Sequence, residues 1–243
     1  MKRCQQPCAA DINGNRKVLF IEELNKKLHD RKAFDCGLAD VNEFLKKRAS
    51  RQAQQSINRT WVALDDEMVD RHPAPIVGFY TLTSCTVAHT DIQGNYPHYP
   101  LPAFKLAWFG VHNEYQGTPM RVGEELLVEA LLQSWELFTH TQLGVAVVVD
   151  PLTQKSEDFF RKYDFQEIGR SFHGQETLYL PMRKIRQMIE ADLLLGAEEK
   201  FGSRTKAERW FDTPDSLFGG LSPRKMIDVV GGVGILEDAI YES

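Results

Sequence analysis

The chain has 243 residues, 42% hydrophobic and 26% charged, which are the proportions of a folded globular protein rather than a disordered or fibrous one. A net charge of −5 argues against a protein that coats nucleic acid by bulk electrostatics. The longest apolar runs, such as 143–149 and 188–195, fall far short of the ~18 residues a membrane span requires, and the basic start MKRCQQPCAADINGNRK has no apolar stretch behind it, so a cytoplasmic protein with no secretory signal is expected.

Charge is unevenly placed. From Gln187 onward eleven acidic residues face six basic ones, whereas residues 1–186 carry 23 of each sign, a neutral body beside an acidic tail. Four cysteines are present, and Cys4 with Cys8 has a spacing some zinc sites use. No second pair or histidine cluster completes that site, so free, reduced thiols and no metal are expected.

In chain order, residues 1–17 read as a mobile start, and the spacing of apolar residues from Leu19 to His29 predicts a helix. A second helix is expected from Gly37 to about Gln55, with Leu38, Val41, Phe44, Leu45 and Ala49 on one face. Lys46, Lys47, Arg48 and Arg51 form the compact basic cluster of the sequence and read as a solvated helix face. Thr60–Leu64 and Ile76–Thr83 are β-branched and aromatic runs around an acidic, proline-flanked turn, the pattern of an antiparallel pair.

Three prolines between Tyr96 and Pro102 mark a loop, and Phe104–Val111 is of strand length. From Val122 to Phe138 apolar residues recur every three or four positions, giving a long amphipathic helix. The run 144–149 reads as a central strand buried on both faces. Ser156–Tyr163 reads as a short helix, and Phe165–Leu180 as one or two strands. Beyond Pro181 everything reads as helix: Ile185–Leu195, Ala207–Phe211, Pro223–Val229 and Ile235–Tyr241, broken by Gly196, Gly202, Gly219-Gly220 and Gly231-Gly232. The division expected is 1–17 as a mobile N-terminus, 18–186 as the main domain and 187–243 as a small all-helical unit, with Ile185–Leu195 as a connecting helix.

The loop Tyr115–Gly123 stands between a strand and the long helix. Unpaired amides and the positive end of the helix dipole can hold a diphosphate there without a charged side chain, although glycines also occur in ordinary turns. The strand, loop and helix LAWFGVHNEYQGTPMRVGEELLVEAL resembles the acyl-CoA loop of the GNAT acyltransferases. FDCGLADVNEFLKKRASRQ, TWVAL, IVGFYTLTSCTV and VVVDPLTQKSEDFFRKYDFQEIG fall in the order found in GNAT toxins that acetylate aminoacyl-tRNA, and the likeness spans about residues 18–183.

That resemblance implies an α+β fold, a GNAT mixed central sheet flanked by helices. It implies acetyl-CoA as co-substrate and direct attack of an amine on the thioester, with tRNA as the substrate carrier. Phe109, Gly110 and Val111 would lie along the acyl and pantetheine arm. Gln116, Gly117, Arg121, Val122 and Gly123 would surround the pyrophosphate, with Thr153 where an asparagine is common. The chain departs from the pattern in three further places. The glycine loop is about two residues longer, around Thr118-Pro119-Met120; Trp108 stands where an arginine is typical; and Phe160 occupies the position of the tyrosine that protonates the departing thiolate. Tyr163, three residues on, is the candidate replacement acid, although packing of its ring in the core is the commoner fate of such a residue. His112 and Glu114 are candidate bases.

AEEKFGSRTKAERWFDTPDSLFGGLSPRKMIDVVGG resembles the toxin-binding C-terminal domain of Xre/MbcA/ParS-type antitoxins, through Phe201-Gly202, Ala207, Trp210-Phe211, Thr213-Pro214, Leu217, Gly219-Gly220 and Pro223. It implies an antitoxin or toxin partner, or self-association, through 187–243. Two other readings of the whole chain stand beside the toxin: a catalytically impaired GNAT-fold binding protein, and a small-molecule amine N-acetyltransferase.

Overall fold

A computed structural model describes residues 19–170 and 176–241; the segment 1–17, with Cys4 and Cys8, lies outside the described residues. Seven strands form one sheet in the order β1-β3-β5-β6-β7-β9-β8: β1 Leu19–Glu23, β3 Arg59–Asp65, β5 Gly78–Val87, β6 Leu101–Val111, β7 Ala146–Val149, β8 Gln166–Arg170 and β9 Glu176–Pro181. Short strands β2 (His29–Asp30) and β4 (Ala74–Pro75) pair separately. Every pairing in the large sheet is antiparallel except β6 with β7, which is parallel. The sheet is therefore mixed and flanked by helices, the α+β architecture expected.

The segment read as a helix from Leu19 to His29 is instead strand β1 followed by a turn, with Leu19–Glu23 paired antiparallel to β3. Both faces of this edge strand are used: Leu19 and Ile21 pack against the main core while Phe20 packs against a second one. An element covered on both sides need not alternate apolar with polar, so its period is ambiguous over five residues.

Helices α1 (Ala39–Glu43) and α2 (Ala49–Gln54) are joined by a π-helical turn, Phe44–Arg48, and cover one face of the sheet. Phe34, Val41, Phe44, Leu45 and Ala49 bury themselves there against Val62, Leu64 and Phe79. The other face carries α3 (Val122–Thr141), α4 (Gln154–Lys162) and α5 (Met182–Phe201). In β7, Val147 and Val149 enter this main core while Ala146 and Val148 enter a third cluster with Tyr179 and Leu101, so period-two alternation produces an all-apolar strand.

The remaining helices are α6 (Arg204–Asp212), α7 (Pro223–Met226) and α8 (Gly232–Tyr241). Gly196, read as a break, lies within α5, where it makes room: a side chain there would collide with Tyr241 of α8. Ala207, Phe211, Phe218, Ile227 and Leu236 join the main core. Trp135 of α3 donates its indole N–H to the Ile227 carbonyl oxygen at 2.9 Å, and Arg186 of α5 donates to Asp228 at 2.7 Å. Burial of an aromatic such as Phe211 contributes roughly 1.5–3 kcal/mol. The C-terminal helices are thus packed on the sheet's α3–α5 side by apolar area and by specific hydrogen bonds.

Candidate functional site

The parallel pairing of β6 with β7 covers Phe104–Leu106 and Val147–Val149. Beyond Leu106, β6 runs on to Val111 with no strand partner on that side, and a bulge places Ala107 opposite the step between Thr81 and Leu82 of β5. An extra residue on one strand sharpens twist and turns it away from its neighbour. A V-shaped gap results in the middle of the sheet.

At the mouth of that gap is a cavity of about 780 Å³, a size that suits a small-molecule ligand. Phe109, Gly110 and Val111 of β6 line it, together with Gln116, Gly117, Arg121, Val122 and Gly123, and Thr153 and Phe160 of α4. The ten residues are brought together from three stretches of chain. Tyr163 is not among the lining residues, nor are His112 and Glu114.

The backbone between β6 and α3 is built to leave donors open. Gly117 has φ +71°, a left-handed conformation with open space where a side chain would begin. Arg121, the N-cap of α3, adopts a left-handed backbone with φ 48° although it is not glycine. Among the described residues the amides of Gly117, Thr118, Val122 and Gly123 have no backbone acceptor, whereas those of Arg121, Glu124 and Glu125 are satisfied at the helix start. Pro119 has no amide to offer.

Gln116 holds this loop in place. Its side-chain amide donates to the carbonyl oxygens of Val111 at 2.9 Å and Cys36 at 3.1 Å, and its Oε1 accepts from Lys155 at 3.1 Å. Thr153 caps α4 by accepting from the Ser156 amide at 3.1 Å, and Ser156 returns a bond to the Thr153 amide at 3.0 Å. Both residues line the cavity chiefly through roles as staples. Glu124, in the first turn of α3, is paired with Arg121 and with Lys162 at 3.3 Å, so its carboxylate does not face the cavity unopposed.

Phe160 is almost fully buried, and its ring meets Phe109 at 5.7 Å, Phe159 at 5.2 Å and Phe165 at 5.4 Å. Tyr163 is half-buried beside Phe159 at 5.2 Å, its hydroxyl out of solvent with no hydrogen-bond partner among the described residues. Burial raises its pKa above the ordinary value, although Arg121 pulls the other way. His112 accepts from the Glu114 amide at 3.3 Å as the cap of a short turn.

Other cavity residues were not singled out as site residues in the sequence: Cys36, Asn113, Lys155, Ser156 and Phe159, with Tyr115 at the edge of the loop that was. Cys36 arrives from the segment just before α1, remote in sequence, and burial pushes its thiol upward. A smaller hollow of about 440 Å³ elsewhere is lined by Arg161, Asp164 and Lys184 among others, whose charges are already paired.

No protein-family model matches the chain. It is 25% identical over 183 residues to "Probable toxin TacT" of Sinorhizobium fredii, spanning 70% of this chain and 94% of that protein. It is 30% identical over 141 residues to the "tRNA-acetylating toxin" of Mycobacterium tuberculosis, spanning 56% of this chain and 78% of that protein. The chain belongs to the family of tRNA-acetylating toxins.

Solved GNAT toxins have the same fold. A tyrosine-to-phenylalanine mutant of KacT superimposes with a TM-score of 0.61 at 23% identity, covering 70% of this chain and 98% of that one. AtaT complexed with acetyl-methionyl-tRNAfMet gives 0.61 at 20% identity, covering 70% and 98%. AtaTR bound with acetyl-CoA gives 0.57 at 22% identity, covering 70% and 97%. Within the tRNA-acetylating toxin fold, the gap between β6 and β7, the open amides before α3 and the capped start of α4 enclose one cavity.

Proposed function

We propose that this protein is an acetyl-CoA-dependent N-acetyltransferase of toxin–antitoxin type that acetylates the amino group of aminoacyl-tRNA. One observation carries the reading: a cavity at the parting of β6 from β7, onto which unpaired amides at the start of α3 open. The residues present fit acetyl-CoA. The amides of Gly117, Thr118, Val122 and Gly123 would hold the pyrophosphate, helped by the α3 dipole and by Arg121 and Lys155. The extended run Phe109–Val111 would hold the arm.

When bound, acetyl-CoA supplies an acyl group activated as a thioester. The chain's own part is positioning and electrostatics. The unpartnered edge of β6 offers backbone dipoles beside the reacting carbonyl, and Phe109, Phe159 and Phe160 wall off water. Phe160 has no proton to give the departing thiolate, so this enzyme works without the ~10²–10⁴-fold contribution of a positioned acid at that place.

The helices of 187–243 form the antitoxin-like unit of this proposal, a protein-contact or dimerisation module on the body. The cavity's lining residues end at Phe160, so contact through this unit need not enter the cavity. Residence is cytoplasmic, where charged tRNA and acetyl-CoA are met; among the described residues no helix is long and apolar enough to cross a membrane.

The test is transfer of labelled acetyl from acetyl-CoA to charged tRNA by the purified chain, with a generic amine in parallel. Label appearing on the aminoacyl group supports the reading, and label on the small amine alone overturns it in favour of a small-molecule acetyltransferase. Phe160 favours a second reading, a binding protein that has lost turnover. Saturable acetyl-CoA binding with no label on either acceptor would establish it.

A further inference from the structure

Arg48 is a half-buried arginine with no acidic partner among the described residues, and it stands beside the place where β6 leaves β7. It closes the π-helical turn Phe44–Arg48, a type of turn frequent at functional sites. Its guanidinium carbon lies 5.3 Å from the centre of the Trp108 ring and 5.9 Å from that of Phe44. Those two rings are stacked, 4.5 Å apart and 9° from parallel.

The Arg48 Nε is buried without a hydrogen-bond acceptor, and one terminal nitrogen reaches only the Asp40 carbonyl oxygen, at 3.4 Å. Other arginines of the fold hold carboxylates: Arg161 holds Glu157, Glu167 and Glu176, Arg186 holds Glu190 and Asp228, and Arg224 holds Glu190 and Asp212. Desolvating a cation without a counter-charge is costly. A fork of donors held flat on an aromatic platform suits an anion with several oxygens, which it can grip bidentately.

The position says which anion. Trp108 and Phe109 are consecutive on an extended strand, so their side chains leave on opposite faces. Phe109 meets Phe159 and Phe160 at the cavity, while Trp108 meets Phe44 and Arg48 on the α1–α2 face. α3 and α4 stand on the Phe109 side of β6, and Arg48 stands on the other side, the one from which an acceptor would come to the gap in this reading. Arg51 and Lys47 on the same segment add positive charge, part of it offset by Glu43, 4.0 Å from Lys47.

We infer that Arg48, seated on Trp108 and Phe44, is a specificity-determining contact for a backbone phosphate of the RNA acceptor. This rests on the acetyl-transfer reading above.

The experiment compares wild type, Arg48→Ala and Arg48→Lys for binding of fluorescein-labelled tRNA by anisotropy across a salt series, with acetyl-CoA binding by calorimetry and thermal melting alongside. Arg48→Ala is expected to weaken tRNA binding by about five- to tenfold and to lower the salt slope by about 1, with acetyl-CoA affinity unchanged. Arg48→Lys keeps the charge but not the fork, and recovers the slope more than the affinity. Equal tRNA affinity and slope in Arg48→Ala and wild type would overturn the inference while leaving the acetyl-transfer reading intact, as would a parallel loss of acetyl-CoA binding, which would make Arg48 a packing residue. Wild type that binds acetyl-CoA but no tRNA at low salt would overturn both.

Discussion

The ring of Phe160 meets the ring of Phe109 edge-on, 5.7 Å between centres, at the level where β6 has parted from β7. An aromatic wall therefore closes the cavity where a hydroxyl would serve as acid. Phe160→Tyr is expected to raise kcat for acetyl transfer by about tenfold or more, given the ~10²–10⁴ such an acid contributes, with acetyl-CoA affinity unaltered. Steady-state kinetics on charged tRNA checks this; an unchanged kcat would mean that proton delivery does not limit turnover.

Tyr163 makes the opposite prediction. Its hydroxyl is buried without a partner and lies outside the cavity lining, so Tyr163→Phe removes an unsatisfied group. Stability is expected to rise by up to about 1 kcal/mol, and acetyl transfer to stay as it was. A large fall in kcat with an unchanged melt would instead identify Tyr163 as the acid.

Cys36 lies on the cavity wall with its pKa raised above the ordinary 9.0, burial being the main cause and Asp35 adding to it. A raised thiol pKa means less thiolate at neutral pH, so alkylation of Cys36 is expected to be slow at pH 7.5 and to keep accelerating beyond pH 9. Acetyl-CoA is expected to protect it. Mass spectrometry of the Cys36 peptide, with and without acetyl-CoA, reads both; fast, unprotected labelling at pH 7.5 would contradict the placement.

How the C-terminal helices are joined to the body turns on one hydrogen bond. Trp135→Phe keeps the apolar ring but leaves the buried Ile227 carbonyl without its donor, at a cost of about 1–3 kcal/mol. Calorimetric melting is expected to stay a single transition at lower temperature, because Phe211, Ile227 and Leu236 share one core with α3 and α5. Two separate transitions in the wild type would contradict a shared core.

Much of this was legible in the sequence where a physical constraint acts locally. The period of α3 and the buried run of β7 each state their own structure, whereas the Thr153 cap that starts α4 two residues ahead of Ser156 was not read. The strand, loop and helix around Gly117 pointed to a phosphate site because open amides need only backbone geometry. Strand β1 was not legible, since Leu19, Phe20 and Ile21 are consecutive apolar residues that pack on both faces, and so short a run fits either period. Gly196 looked like a helix stop because the close approach of the Tyr241 ring, which uses the space a side chain there would fill, is tertiary. Cys36 joins the cavity across a hydrogen bond to Gln116, 80 residues away. Arg48 lay in what read as a solvated basic run, and only the Trp108–Phe44 stack singles it out.

The amides between Gly117 and Gly123 bear most of the account, and a calorimetric titration comparing acetyl-CoA with S-acetylpantetheine, which carries the same thioester without the pyrophosphate, tests them most directly. The account predicts one acetyl-CoA per chain and an affinity for S-acetylpantetheine weaker by about a hundredfold or more, as loss of several charge-assisted hydrogen bonds requires. Equal affinities, or no heat from acetyl-CoA at all, would contradict it.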